Sequence, residues 1–252
     1  MRFAGRTALV TGAASGLGRE VAVRLAREGA DRVLLLDRDE AGLTATASQA
    51  GESAQAFPCD VAQPPSVTQA FTAAGLDRLD ILVTAAGILG PSVSVADCEP
   101  EDWDRVFGVN VRGTYLAVRQ AVPLMRKAGG GAIVTFASTA GLAGSAVLGP
   151  YSASKGAVVL MTRSLALAHA GERIRVNCVC PGSIETPMLD ATFASAGSAD
   201  QVDARRSAFQ AKHPLGRFGT AAEVAEAVLV LASDAASYLT GVALPVDGGR
   251  LA

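Results

Sequence analysis

Along all 252 residues, apolar runs the length of a strand alternate with segments the length of a helix, and few folds accept that pattern. The strand-like runs are 7–11, 32–37, 54–59, 81–85, 132–137, 173–179 and 243–246. They are rich in Val, Ile and Leu and mostly lack polar alternation, as expected of parallel strands covered on both faces. Helices are expected between them, including 16–28, 66–74, 100–127, 151–170 and 221–233. Pro64-Pro65-Ser66 and Glu99-Pro100-Glu101-Asp102 supply start signals for two of these. Right-handed crossovers between the strands then give an α/β fold, a seven-stranded, mostly parallel sheet with helices on both faces. No linker, repeat or break in composition divides the chain, so residues 1–252 read as one doubly wound, Rossmann-type domain.

The totals exclude several classes of function. Half the residues are hydrophobic and 18% are charged, which supplies a large core and argues against disorder. The net charge of −2 comes from 22 basic and 24 acidic residues scattered without a basic stripe, so neither nucleic acid nor a membrane surface is an expected partner. The first residues lead directly into a strand-like run, without the pattern of a signal peptide. Cys59, Cys98, Cys178 and Cys180 form no CxxC, and Cys178 and Cys180 share one face of an expected strand. They read as small packing residues of a reduced, cytoplasmic protein rather than as a disulfide or metal site.

Between Ala128 and Thr162 the only charged residue is Lys155. A membrane span would need about 20 consecutive apolar residues. The glycines, Pro150 and the serines and threonines cut this stretch into pieces too short and too polar for that. A buried strand, a mobile loop and a helix beginning near Tyr151 fit better. Burying a lone lysine is costly unless its charge is needed. Tyr151 lies four residues earlier, so on a helix the two side chains share one face.

The turn Thr11-Gly12-Ala13-Ala14-Ser15-Gly16-Leu17-Gly18 follows the first strand and opens the first helix. Glycines there allow a tight turn and close backbone approach, so that a pyrophosphate can sit on the helix N-terminus. The spacing is GxxxGxG rather than GxGxxG, and gains weight from Asp37 at the end of the second strand, 19 residues beyond Gly18. A carboxylate there binds the ribose hydroxyls of NAD and repels the 2′-phosphate of NADP. The bland alternative for Asp37 is a cap on the next helix. The segment 189–218 is long, weakly periodic and follows a strand end, which favours a substrate-covering lid over a passive loop.

Taken in order, these residues resemble the short-chain dehydrogenase/reductase family over essentially the whole chain. The match comprises the glycine turn, Asp60-Val61 after the third strand, Asn110-Val111-Arg112-Gly113, and Ser138 placed 13 residues before Tyr151-Ser152-Ala153-Ser154-Lys155. It continues with Pro181-Gly182-Ser183-Ile184-Glu185-Thr186-Pro187-Met188, then Thr240-Gly241 and Val246-Asp247-Gly248-Gly249. The resemblance implies that Tyr151 is the general acid/base of a hydride transfer, with Lys155 lowering its pKa and bonding the nicotinamide ribose. It implies that Ser138 holds the substrate oxygen and that Asn110 anchors a water linking Lys155 to solvent. Cofactor contacts then fall to Gly12, Ser15, Gly16, Leu17, Gly18, Asp37, Arg38, Asp60, Val61, Ala86, Gly87, Tyr151, Lys155, Pro181, Gly182, Ile184 and Thr186. Ser15 stands where NADP-using members often carry a basic residue, so NAD is favoured, with Arg38 expected to stack on adenine. One departure is Thr84-Ala85-Ala86-Gly87 in place of Asn-Asn-Ala-Gly, which puts in question the bonds the usual asparagine makes to neighbouring strands.

The expected activity is NAD-dependent interconversion of a secondary alcohol and its ketone. The expected pocket is Ile88, Leu89, Thr139, Ala140, residues 145–148, Ser183 and the lid. The part before the lid carries no charge, which implies a neutral, largely apolar substrate. The rivals are a 3-oxoacyl-thioester reductase and a non-catalytic dinucleotide-binding regulator. Trp103 is expected to pack the long helix, and His169 and His213 to lie at the surface. The helix after Lys155 is apolar around most of its circumference, and the resemblance implies a homotetramer formed through it and the helix before.

Overall fold

Seven parallel strands run in the spatial order β3-β2-β1-β4-β5-β6-β7 in the computed structural model, which describes residues 1–194 and 199–252. They are β1 (Thr7–Thr11), β2 (Arg32–Asp37), β3 (Ala54–Pro58), β4 (Ile81–Thr84), β5 (Gly131–Phe136), β6 (Ile174–Pro181) and β7 (Ala243–Val246). Successive strand residues point to opposite faces, and both faces are covered. Val33 and Leu35 pack with Val10, Val83 and Val134 on one side. Leu34 and Leu36 pack with Leu9, Leu82 and Ile133 on the other. This two-sided burial is why the strands read as unbroken apolar runs.

The helices are α1 (Gly16–Arg27), α2 (Glu40–Ala50), α3 (Pro64–Ala73), α4 (Pro100–Phe107), α5 (Gly113–Ala128), α6 (Gly149–His169), α7 (Pro187–Ala194), α8 (Ala199–Gln210) and α9 (Ala221–Ala232). The first core face takes residues from α1 and α9, the second from α3 and α5. Thr220 and Glu223 close a reciprocal capping box that starts α9. Among the described residues no helix is long and apolar enough to cross a membrane.

Three segments differ from the sequence reading. Helix α2 was expected only as a helix following Asp37, without bounds; Asp39 caps it, accepting from the Gly42 N–H at 3.0 Å. The expected helix 100–127 contains a π-helical turn, Gly108–Arg112, between α4 and α5. The expected lid 189–218 contains α8 and most of α7; residues 195–198 of it lie outside the described residues. Phe193 of α7 packs edge-on against Phe209 of α8 and stacks on Phe218, which supplies the order the weak periodicity concealed.

The sheet sends β2 to one side of β1 and β4 to the other. The carboxyl ends of β1 and β4 therefore diverge into a crevice, where open α/β sheets bind ligands.

Candidate active site

The glycine turn forms one wall of that crevice. Gly12 has φ +70°, and an added Cβ would stand 2.5 Å from the Ala86 nitrogen. At Gly18 an added Cβ would meet the Gly12 carbonyl oxygen at 2.1 Å. A larger residue at Gly12 would force the β1 turn away from the β4 loop, and one at Gly18 would force α1 away from that turn. Ser15 occupies the N-cap of α1 without a side-chain bond to the helix, so the helix N-terminus faces the crevice. The Asp37 carboxylate accepts from the Ala14 N–H and the Asp39 N–H, both at 3.1 Å. Asp37 is thus fixed at the crevice edge, and the helix-capping role belongs to Asp39.

Gly12, Ser15, Gly16, Leu17, Gly18, Asp37, Arg38, Asp60, Val61, Ala86, Gly87 and Thr186 all line this cleft. Cys59, Arg105 and Val109 also line it and were not anticipated. The open N-terminus, the glycines and a carboxylate held by backbone amides fit a dinucleotide. Pro181, Gly182, Ile184, Tyr151 and Lys155 line a second cleft, which shares Leu17, Ala85, Gly87, Thr186 and Met188 with the first.

Ser138, Tyr151 and Lys155 converge in the second cleft. Ser138 ends the path of β5, is 9% exposed, and accepts from the Ala140 N–H at 3.1 Å. Ser138 stands across the cleft from the Tyr151 phenol and favours its ionised form. Burial pushes the Tyr151 pKa up, and Ser138 only partly offsets this. The expected lowering by Lys155 is therefore corrected. Burial likewise pulls the Lys155 ammonium down to about 8, and its Nζ donates to the Phe136 carbonyl at 2.8 Å, lying 5.7 Å from the Tyr151 ring centroid. At neutral pH both groups keep their protons.

Asn110 sits in the π-helical turn, a feature frequent at functional sites. Its side chain accepts from the Ile88 N–H at 2.8 Å and donates to the Ile88 carbonyl at 3.0 Å and to Ser154 Oγ at 2.9 Å. A Cβ added at Gly87 would lie 3.3 Å from both Asn110 Oδ1 and Lys155 Nζ. Gly87 therefore keeps open the space between those two groups. The departure noted at Thr84 has a structural counterpart: its buried Oγ1 has no hydrogen-bond partner among the described residues.

Leu89, Thr139, Ala140, Val147, Leu148 and Ser183 line the second cleft as expected, whereas Ile88 lines the first. The segment 189–218 contributes Leu189, Thr192, Arg205 and Phe209, and the C-terminal segment contributes Arg250. Ser145 and Ala146 are not among the lining residues. His213 is a second correction: it is 2% exposed rather than at the surface. It is buried because both ring nitrogens find backbone partners, at Ser183 and Phe209. His169 is half-buried and pairs with Glu172. Trp103 stacks on Phe107 within α4, 4.6 Å between centroids. No group of three His, Cys, Asp or Glu residues among the described residues is arranged to hold a metal.

Residues 12–250 match the protein family described as "Enoyl-(Acyl carrier protein) reductase". The chain is 41% identical over 249 residues to "2-(S)-hydroxypropyl-CoM dehydrogenase 3" of Xanthobacter autotrophicus, covering 96% of this chain and 95% of that protein. Its structure resembles the crystal structure of levodione reductase with a TM-score of 0.94 and 34% identity, over 99% and 98% of the two chains. It also resembles the crystal structure of 3-ketoacyl-(acyl-carrier-protein) reductase from Brucella melitensis complexed with NADH, with a TM-score of 0.87 and 38% identity over 98% of each chain.

Proposed function

This chain belongs to the short-chain dehydrogenase/reductase family and is an oxidoreductase, and from that premise we propose that it interconverts a neutral, largely apolar secondary alcohol and its ketone with NAD. The observation that carries the reading is the convergence of Ser138, Tyr151 and Lys155 in a cleft continuous with the crevice edged by Asp37.

Bound in the first cleft, NAD supplies the site that takes or gives the hydride. Asp37 favours NAD because its fixed carboxylate can accept from ribose hydroxyls and repels a 2′-phosphate. Ser138 orients the substrate oxygen and stabilises charge developing on it. Tyr151, protonated at neutral pH, is ready to donate to that oxygen when a ketone is reduced. In the opposite direction the phenol must first lose its proton, which favours alkaline conditions. Lys155 provides a cation on the same helix face, and Asn110 holds the Ile88 backbone and the open space between Oδ1 and Nζ.

We further assign a homo-oligomer and a reducing, cytoplasmic setting. Leu160 and Leu167 of α6 are 63% and 85% exposed, an apolar surface suited to a second copy. Cys59, Cys178 and Cys180 are buried free thiols. Light scattering would read a multiple of the 25.5 kDa chain mass, and a monomer would overturn the oligomer.

The functional test is NAD⁺ and NADP⁺ reduction across a panel of neutral secondary alcohols. Turnover with NAD⁺ is expected. Preferred use of NADP⁺, or of a small dicarboxylate, would refute the corresponding part of the reading. Reduction of a 3-oxoacyl thioester alone would transfer the site to that substrate class.

A further inference from the structure

His213 lies outside the chemistry described above, yet it joins two walls of the substrate cleft. Its Nε2 accepts from the Ser183 N–H at 3.1 Å, and its Nδ1 lies 3.0 Å from the Phe209 carbonyl. Ser183 belongs to the segment after β6, and Phe209 to lid helix α8; both line the cleft. A carbonyl can only accept and a backbone N–H can only donate. The two bonds together therefore require a neutral imidazole carrying its proton on Nδ1. A proton added at Nε2 would set N–H against N–H and break the link to Ser183.

The surroundings leave the ring little alternative. It packs edge-on against Phe218, 5.8 Å between centroids. A Cβ on Gly182 would come within 3.2 Å of Nε2. Among the described residues, the charged groups facing it are few. Arg206 lies over Phe218, and Lys212 over Phe209. Arg250 donates to Ser183 Oγ at 3.2 Å. The Asp247 carboxylate is taken up by the N–H groups of Gly249 and Leu251, each at 3.0 Å.

We propose that His213 is a positioning residue that latches lid helix α8 to the Ser183 segment only while neutral, so that substrate capture weakens on acidification. The proposal rests on the lid and substrate cleft assigned above. Its first readouts need no substrate, so its failure and the failure of the proposed function are distinguishable.

Two-dimensional ¹⁵N–¹H spectra of the imidazoles, assigned with His169→Gln, should show His213 as the Nδ1–H tautomer at pH 7.5. Hydrogen exchange, corrected for intrinsic pH dependence, should rise about tenfold at Ser183 and along α8 in His213→Leu, and in the wild type at pH 5.5. His213→Gln retains an acceptor for Ser183 and does not titrate, so its exchange should stay low at both pH values. With a substrate in hand, His213→Leu should raise KM about tenfold with a smaller change in kcat. Wild-type KM should rise on acidification, and that of His213→Gln should not. An Nε2–H tautomer or a doubly protonated ring at pH 7.5 would overturn the proposal. So would an acid response in His213→Gln equal to that of the wild type, or unchanged exchange in His213→Leu.

Discussion

Replacing Lys155 with methionine should make the fold more stable at neutral pH while abolishing turnover. Lys155 is 4% exposed, and burial brings its ammonium from the ordinary 10.5 to about 8. At ~1.4 kcal/mol per pH unit, that gap withholds ~3 kcal/mol from the folded state. Because the folded value is the lower one, the unfolded chain holds the extra proton between about pH 8 and 10.5. Stability from this group therefore rises with pH across that window and is fully withheld below it. Methionine keeps most of the apolar stem and removes the charge, but deprives the Phe136 carbonyl of its donor, at a cost of ~1 kcal/mol. The net expectation is ~2 kcal/mol in favour of Lys155→Met at pH 7, reversing to a small deficit once the wild-type lysine is neutral. Urea unfolding followed by Trp103 fluorescence, at one protein concentration, gives the difference directly. Raised values at Tyr151 and Cys59, to which the Lys155 charge does not contribute, make stability fall at alkaline pH in both proteins and cancel in the difference between them. Equal or lower stability of the variant at pH 7, or a gap that stays constant up to pH 10, would refute the reasoning.

Other outcomes follow from single contacts. Asp37→Ser removes the carboxylate proposed to discriminate at the ribose 2′ position and should shift the kcat/KM ratio toward NADP⁺ by roughly tenfold or more; an unchanged ratio would mean that another group sets the preference. Thr84→Val replaces a buried hydroxyl without a partner and should stabilise the protein by ~1 kcal/mol in urea unfolding, whereas destabilisation would imply a bond to that oxygen. With Tyr151 raised, alcohol oxidation should accelerate from pH 7 toward pH 10, and a pH-independent rate would place the base elsewhere.

Much of the fold was legible because two-sided burial leaves a continuous apolar signature. Strands β1, β2 and β7 fall on their expected residues, and the other boundaries move by one or two. The bounds of helix α2 were not legible because its buried residues are Gly42, Leu43 and Thr46, only one of them large and apolar. Asp39 at its start and Gly51 at its end were the available signals. The lid was hard to read for a different reason. Its order comes from Phe193, Phe209 and Phe218 meeting across distant positions, while the intervening sequence is Ala-, Ser- and Asp-rich.

At the site, the uncharged stretch and the spacing placed Tyr151 beside a buried Lys155, but the burial was read as strengthening the pull of the cation on Tyr151, whereas desolvation decides the direction of both pKa shifts. His213 carried no motif, so nothing local marked it. A histidine immediately before the Pro214 turn that follows lid helix α8 is a cue visible only with the fold known.

The proposed chemistry is a Tyr151-assisted hydride transfer between a carbinol carbon and NAD. A secondary alcohol carrying deuterium on that carbon, incubated with NAD⁺ and the purified protein, tests it most directly, with the reduced dinucleotide read by mass spectrometry. The wild type should deliver one deuterium to each dinucleotide reduced, and Tyr151→Phe should bind NAD⁺ yet deliver none. Deuterium released to water, or transfer that persists in Tyr151→Phe, would contradict the account.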